Sequence, residues 1–131
     1  MKRLLLLVLT ALLPGAGTSW AGPLEDGLAA YQRGDYSDAL ATFRSSAAQG
    51  SAAAQGNLGR MVANGQGVTR DFAQALKWYR LAAAKGDASA QHALGLMVEN
   101  GSGVTRDYAQ AGKWFELAAA QGHAGDRKSV V

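Results

Sequence analysis

The sequence predicts an all-α fold, a short right-handed α/α solenoid of three helix pairs. Three observations support this prediction. A 29-residue segment recurs 36 residues further along the chain, apolar residues within each copy follow helical spacing, and Gly, Asn and Asp occur where helices would begin and end.

A signal peptide is expected before the helices. Lys2 and Arg3 precede the apolar run Leu4–Leu13, and small residues stand three and one positions before a cleavage point after Ala21. This pattern is typical of a bacterial Sec-type leader over residues 1–21. The apolar run is about half the roughly 20 residues that a membrane-spanning helix needs. We therefore expect a periplasmic or secreted protein with no membrane span after cleavage.

Composition narrows the possible partners. Cleavage after Ala21 leaves 110 of the 131 residues and removes two of the thirteen basic residues but none of the ten acidic ones, so the net charge falls from +3 to +1. Because the remaining charges of both signs are interleaved, a nucleic-acid partner is not expected. The chain has no cysteine. Disulfides and a lipid-bearing cysteine after the leader are therefore not expected.

The repeat itself is clear in the two last units. Residues 58–86 read LGRMVANGQGVTRDFAQALKWYRLAAAKG and residues 94–122 read LGLMVENGSGVTRDYAQAGKWFELAAAQG, identical at 21 of 29 positions. A weaker and shorter copy lies upstream, with Tyr36 and Phe43 standing 36 residues before Phe72 and Tyr79. This divides the mature chain into an atypical first unit (22–50), two full units (51–86 and 87–122) and a short tail (123–131).

Each full unit should contain two amphipathic helices. In the unit 51–86, the first helix has its apolar residues at Ala54, Leu58, Met61 and Val62, and the second at Phe72, Ala75, Tyr79 and Ala82. These spacings place one apolar face on each helix. One unit cannot bury such faces alone, and stacking against neighbouring units would do so.

The helix ends carry their own signals. Asn64-Gly65 and Asn100-Gly101 are typical of helix stops, because Asn and Gly tolerate the left-handed conformation. Asp71 with Gln74, and Asp107 with Gln110 in the next unit, are expected to form reciprocal caps at the start of each second helix.

These residues together resemble a known family. The pattern of Gly-x-Gly-Val followed by Asp and an aromatic residue, within a unit of 36, is similar to the Sel-1-like repeat, a relative of the tetratricopeptide repeat. The resemblance covers Leu58–Gly122 well and Leu24–Gly50 loosely. It departs from the family at Val62 and Val98, where tyrosine is usual, and at Gly112, which replaces the leucine found at Leu76. The resemblance implies a scaffold that binds proteins or peptides, with exported bacterial relatives linked to the envelope or to neutralising toxins.

The sequence has no motif typical of catalysis, metal binding or cofactor binding, so none of these functions is expected. His92 and His123 have no second histidine or cysteine at a ligand spacing, and no serine lies in a nucleophile elbow. The Gly-x-Gly pairs lack the third glycine of a dinucleotide-binding loop and are interpreted as turns. An enzyme acting on cell-wall material or an antibiotic, a periplasmic immunity protein that sequesters a toxin, and a structural part of an envelope complex remain alternatives to a general binding module.

One face of the first helices differs between the two full units. Its positions change as Gly56/His92, Arg60/Leu96 and Ala63/Glu99, whereas the apolar face is kept. Because first helices line the inner surface of tetratricopeptide-like arrays, we hypothesise that this face binds the partner; the alternative is that it has drifted as a solvated surface. The proposed binding residues are Arg60, Asn64, His92, Leu96 and Glu99.

The end of the last helix offers a second candidate surface. The nine residues after Gly122 are few and polar for a capping helix. The side of the helix that bears Trp114, Phe115 and Leu117 is therefore expected to be partly uncovered, and a partner or a second copy of the chain could dock there.

Overall fold

Six α-helices follow one another between residues 22 and 122, the part of the chain that this computed structural model describes. Their bounds are Pro23–Gln32 (α1), Tyr36–Ala48 (α2), Ala52–Asn64 (α3), Phe72–Ala84 (α4), Ala88–Asn100 (α5) and Tyr108–Gly122 (α6). The residues 22–122 contain no strand. The signal peptide and the tail proposed from the sequence lie outside the described residues.

The helices form three pairs, α1–α2, α3–α4 and α5–α6, and the pairs stack in chain order. Each helix packs most extensively against its pair partner, and the second helix of one pair packs against the first helix of the next. This arrangement confirms the predicted all-α repeat solenoid. It is also the result expected when each unit can bury its apolar faces only against its neighbours.

The core consists of the apolar faces that the periodicity predicted. Ala54, Leu58, Met61 and Val62 are buried in α3, and Ala90, Leu94, Met97 and Val98 occupy the same places in α5. The second helices contribute residues such as Phe43, which is fully buried. Small alanines alternate with these larger side chains and allow the helices to approach closely.

A glycine on each first helix packs against an aromatic ring of the paired second helix. A Cβ added at Gly27 would lie 2.6 Å from the Phe43 ring, and one at Gly95 would lie 2.5 Å from the Phe115 ring. At Gly59 the corresponding distance to Tyr79 is 3.0 Å. Glycine therefore stands inside these helices because a side chain would separate the two members of each pair. The periodicity alone gave no reason for these glycines.

The helix ends agree with most of the sequence signals. Gly65 and Gly101 end α3 and α5 with left-handed φ values of 67° and 71°. The Asp71 carboxylate accepts a hydrogen bond from the Gln74 backbone N–H at 3.0 Å, and Asp107 caps α6 in the same way from Gln110.

The reciprocal half of those predicted caps was wrong. The Asp71 backbone N–H donates to the carbonyl oxygen of Val62 at 3.1 Å, and the Asp107 N–H donates to that of Val98 at 3.1 Å. The side-chain oxygens of Gln74 and Gln110 therefore have no free backbone N–H from which to accept a hydrogen bond. The reason is that the loop between the paired helices folds back onto the first helix.

Buried glutamines join successive units. The Gln55 side chain donates from Nε2 to the carbonyl oxygen of Ala47 at 3.1 Å, and Gln91 donates to that of Ala83 at 3.2 Å. Each bond runs from the first helix of one unit to the end of the second helix of the unit before it. Because buried carbonyls without a partner are costly, these two bonds fix how far the first helix advances along its neighbour.

Candidate protein-binding surface

The five residues proposed from the sequence lie on the outward sides of α3 and α5. Arg60, Asn64 and His92 are exposed, Leu96 is 42% exposed, and Glu99 is half-buried. These positions fit both interpretations of this face, a binding surface or a solvent-exposed surface whose sequence has diverged without a function. Its local geometry is more informative.

Arg60 lines a cleft between α3 and α5, which we call the α3–α5 cleft. Its volume is 280 Å³. One wall comes from α3, the other from the beginning and middle of α5, and Tyr79 of α4 lies between them. The lining residues are Ala53, Gly56, Asn57, Arg60, Tyr79, Asp87, Ser89, Ala90 and Ala93.

The Arg60 side chain is held in one orientation. Its guanidinium carbon lies 4.7 Å from the centroid of the Tyr31 ring, over the face of that ring. Its Nη2 atom donates to Oδ1 of Asn57 at 3.1 Å. The Tyr31 hydroxyl is in turn hydrogen-bonded to the Gln66 side-chain amide, with the closer contact at 2.8 Å. The guanidinium therefore contacts the Tyr31 ring of α1 and the Asn57 amide of its own helix α3, and Gln66 holds the Tyr31 ring in turn.

Tyr79 contributes a buried phenol to the same cleft. Its side chain is 7% exposed, and burial raises the pKa of Tyr79 to about 12, an effect that the positive charge of Arg60 partly opposes. The hydroxyl is thus protonated at neutral pH and can donate a hydrogen bond. Within residues 22–122 it has no hydrogen-bond partner.

His92 lies in a different cleft from Arg60. Its ring packs against Phe115 with the centroids 5.3 Å apart, and both residues line a groove formed by α5 and α6. Phe115 is the counterpart of Tyr79, and His92 the counterpart of Gly56, one unit further on. The structure therefore places Arg60 and His92 in two different clefts and does not bring the five proposed residues into one site. The other three, Asn64, Leu96 and Glu99, line neither cleft.

Sequence reasoning missed Asn57, Tyr79, Asp87 and Ser89 in the α3–α5 cleft. Part of the signal was present in the comparison of the two units, since Asn57 corresponds to Ala93 and Tyr79 to Phe115. The remainder depends on which helix flanks the cleft, and this follows from the stacking of units rather than from any spacing within one of them.

The last helix is partly uncovered, as expected from the sequence: α6 buries two residues, Ala111 and Ala118, whereas its counterpart α4 buries five. Trp114 and Phe115 are half-buried. Leu117 is 51% exposed, but Leu81, its counterpart inside the array, is 49% exposed. The exposure of Leu117 is thus a property of the repeat and not of the last helix. The prediction of self-association through this end stays a prediction.

Two further features of residues 22–122 concern metal ions and membranes. No group of three or more His, Cys, Asp or Glu side chains in this range could hold a metal ion. No helix in the same range is long and apolar enough to cross a membrane.

Comparisons with known proteins agree with this architecture. The family model described as Sel1 repeat matches residues 52–87 and 88–123. A Sel1 repeat protein from Oxalobacter formigenes has a similar structure, with a TM-score of 0.74 and 35% identity over 80% of this chain and 42% of that chain. A protective antigen with an SLR fold, present in uropathogenic Escherichia coli strains, gives a TM-score of 0.71 and 40% identity over 76% of this chain and 22% of that one. The search of curated proteins gave no match.

Proposed function

The chain belongs to the Sel1 repeat family, and on this basis we propose that it is an exported scaffold that binds a protein or peptide in the bacterial cell envelope. Sel1 repeats generally mediate protein–protein interaction, and the family is typically a non-catalytic scaffold. The chain spans about two fifths and about one fifth of the two similar structures. What those whole proteins do is therefore not transferred to it.

The observation that carries the proposal is the α3–α5 cleft. Three of the polar side chains that line it, Asn57, Arg60 and Ser89, are exposed or half-buried on the outward sides of the first helices. None of them belongs to the buried core that holds the units together. Ordered polar groups in a concave site, without a packing role, are what a binding surface requires.

Location in the envelope rests on a separate observation. The basic, apolar and small-residue segments of residues 1–21 are those of a secretory leader. Expression of the full chain in a bacterial host, followed by fractionation and intact mass measurement, tests this part. A product in the periplasm or medium that begins at Gly22 supports it, and an uncleaved cytoplasmic product contradicts it.

Affinity capture tests the binding function. The mature chain, Gly22–Val131, is immobilised and exposed to an envelope fraction, and bound proteins are identified by mass spectrometry. The variant Asn57→Ala/Arg60→Ala removes cleft groups, whereas Arg70→Ala removes an exposed arginine that does not line the cleft. Circular dichroism checks that all three are folded.

The outcomes separate the surface from the function. A companion lost only with the cleft variant supports the proposed surface. A companion retained by every variant would place binding elsewhere on the array, and the α5–α6 groove with His92 is then the next surface to mutate. The absence of any specific companion contradicts the scaffold role in this compartment.

A further inference from the structure

The α3–α5 cleft presents hydrogen-bond donors around one positive charge, and from this we propose that it binds a carboxylate group of its partner peptide. The carboxylate is an acidic side chain or the free C-terminus, and it pairs with Arg60. This inference rests on the proposed scaffold function and assigns the chemistry that the cleft recognises.

Unused hydrogen-bond donors lie on Arg60 itself and on two residues of the same cleft, Asn57 and Tyr79. Arginine has five N–H donors, and Arg60 is seen to use one of its terminal nitrogens for Asn57. Because the Asn57 oxygen is engaged in that bond, the amide N–H groups of the same side chain remain for a ligand. The Tyr79 hydroxyl, protonated and without a partner in residues 22–122, adds a further donor. A ligand that fits these groups must accept hydrogen bonds, and a carboxylate matches the planar guanidinium with two oxygens.

The Arg60 guanidinium is already ordered in the absence of a ligand. Stacking on the Tyr31 ring and the bond to Asn57 fix the side chain before a ligand arrives, and the Gln66 contact fixes the Tyr31 ring. Less rotamer freedom is lost on binding when a charged side chain is already ordered. The cation is also unpaired within the described range, where Arg33–Asp35 at 4.0 Å is the one ion pair.

Asp87 on the opposite wall limits what can bind. Its Oδ1 atom accepts from the Ala90 backbone N–H at 3.0 Å, at the start of α5, where the helix dipole favours negative charge. Its Oδ2 atom would lie 3.6 Å from a Cβ added at Gly56, so it faces the α3 wall. A second acidic group near Gly56 would be repelled by Asp87. The cleft therefore fits one carboxylate at Arg60 and disfavours a run of acidic residues.

The experiment uses random ten-residue peptide libraries as the probe, one with free C-terminal carboxylates and one amidated. The mature chain is screened against both, and selected peptides are measured by fluorescence polarisation. We expect each binder to contain one required Asp, Glu or free C-terminus, and changing it to Asn, Gln or the amide should weaken binding about tenfold to a hundredfold. The amidated library distinguishes an acidic side chain from a terminal carboxylate.

Protein variants complete the test. Arg60→Ala should reproduce the loss seen on neutralising the peptide, and combining the two changes should cost little more than either alone. Arg60→Lys keeps the charge without the planar fork and should retain part of the affinity. Arg70→Ala is the matched control, because it also removes a guanidinium stacked on a ring, that of Phe72 at 5.1 Å, and it should bind as the unmodified chain does.

Four results would overturn the inference. Peptides that bind equally after neutralisation, or equally to Arg60→Ala, show a cleft without carboxylate recognition and leave the scaffold function standing. Envelope capture of a companion together with libraries that yield no binder has the same meaning. Failure of both the libraries and the capture removes the scaffold function as well.

Discussion

Replacing Gly27 with alanine should destabilise this protein, although alanine is the better helix former. Gly27 lies inside α1, and a Cβ at this position would be 2.6, 2.8 and 3.1 Å from three atoms of the Phe43 ring. The first two distances are well inside van der Waals contact. Phe43 is 0% exposed, so its ring has no solvent-facing space into which it can turn.

Two opposing effects set the magnitude. Alanine gains about 1 kcal/mol over glycine in a helix interior. Overpacking a filled core costs about 1–3 kcal/mol, and the upper part of that range applies because the fully buried ring cannot move. The net expectation is a free energy of unfolding lowered by about 1–2 kcal/mol.

Gly112→Ala supplies the matched control. It is the same substitution inside helix α6, but no atom lies within 4 Å of the added Cβ. Here the helix propensity acts alone, and stability should rise by about 0.5–1 kcal/mol. Urea unfolding followed by circular dichroism at constant m-value measures both variants. If Gly27→Ala is as stable as the unmodified chain or more so, steric packing against Phe43 is not the reason for the glycine.

Three further predictions concern single side chains. Burial raises the pKa of Tyr79 from 10.0 to about 12. The stability that the protonated Tyr79 hydroxyl contributes is therefore complete below pH 10, and it is lost between about pH 10 and pH 12 because the unfolded tyrosine ionises first; the loss should be about 2–3 kcal/mol. Unfolding measured across this pH range should show the loss in the unmodified chain but not in Tyr79→Phe. Gln91→Met should lower the free energy of unfolding by about 1 kcal/mol more than Gln55→Met does. The reason is that Oε1 of Gln91 accepts a hydrogen bond from Nε2 of Gln121 at 2.9 Å, whereas Oε1 of Gln55 is buried without a partner. Equal urea midpoints for the two variants would contradict this. Asp71→Ala should lower the free energy of unfolding by about 1 kcal/mol because it removes the cap of α4. Asp35→Ala should have little effect, since Asp35 makes no side-chain cap bond. Similar shifts of the melting temperature for the two variants would show that the capping bond is not the cause.

Much of the fold follows directly from the sequence. The 36-residue shift, the helical spacing of Ala54, Leu58 and Met61, and the stops at Gly65 and Gly101 required two helices per unit and a stack of units. These features are local or repeat along the chain, so a linear pattern records them. The family resemblance followed from the same residues.

The candidate site was only partly accessible in this way. Comparing the two units pointed to Arg60, because aligning their sequences shows that this residue differs between them while the apolar face of the same helix is identical. It also grouped Arg60 with His92, which the structure places in the next cleft. The error arose because the two residues were compared by their position within a unit, whereas a cleft lies between units.

The sequence by itself determined the all-α class, the number of helix pairs and which face of each helix is buried, since periodicity and end signals act within one unit. Only the tertiary structure decided that Gly27, Gly59 and Gly95 admit the rings of the paired helices, and that Tyr31, Asn57 and Tyr79 surround Arg60. Apart from the bond between Asn57 and Arg60, which lie three positions apart in one helix, those contacts join residues 16 to 29 positions apart, and their distances are set by how closely the helices approach. That approach depends on the simultaneous packing of all the side chains between them, which no single spacing along the chain encodes.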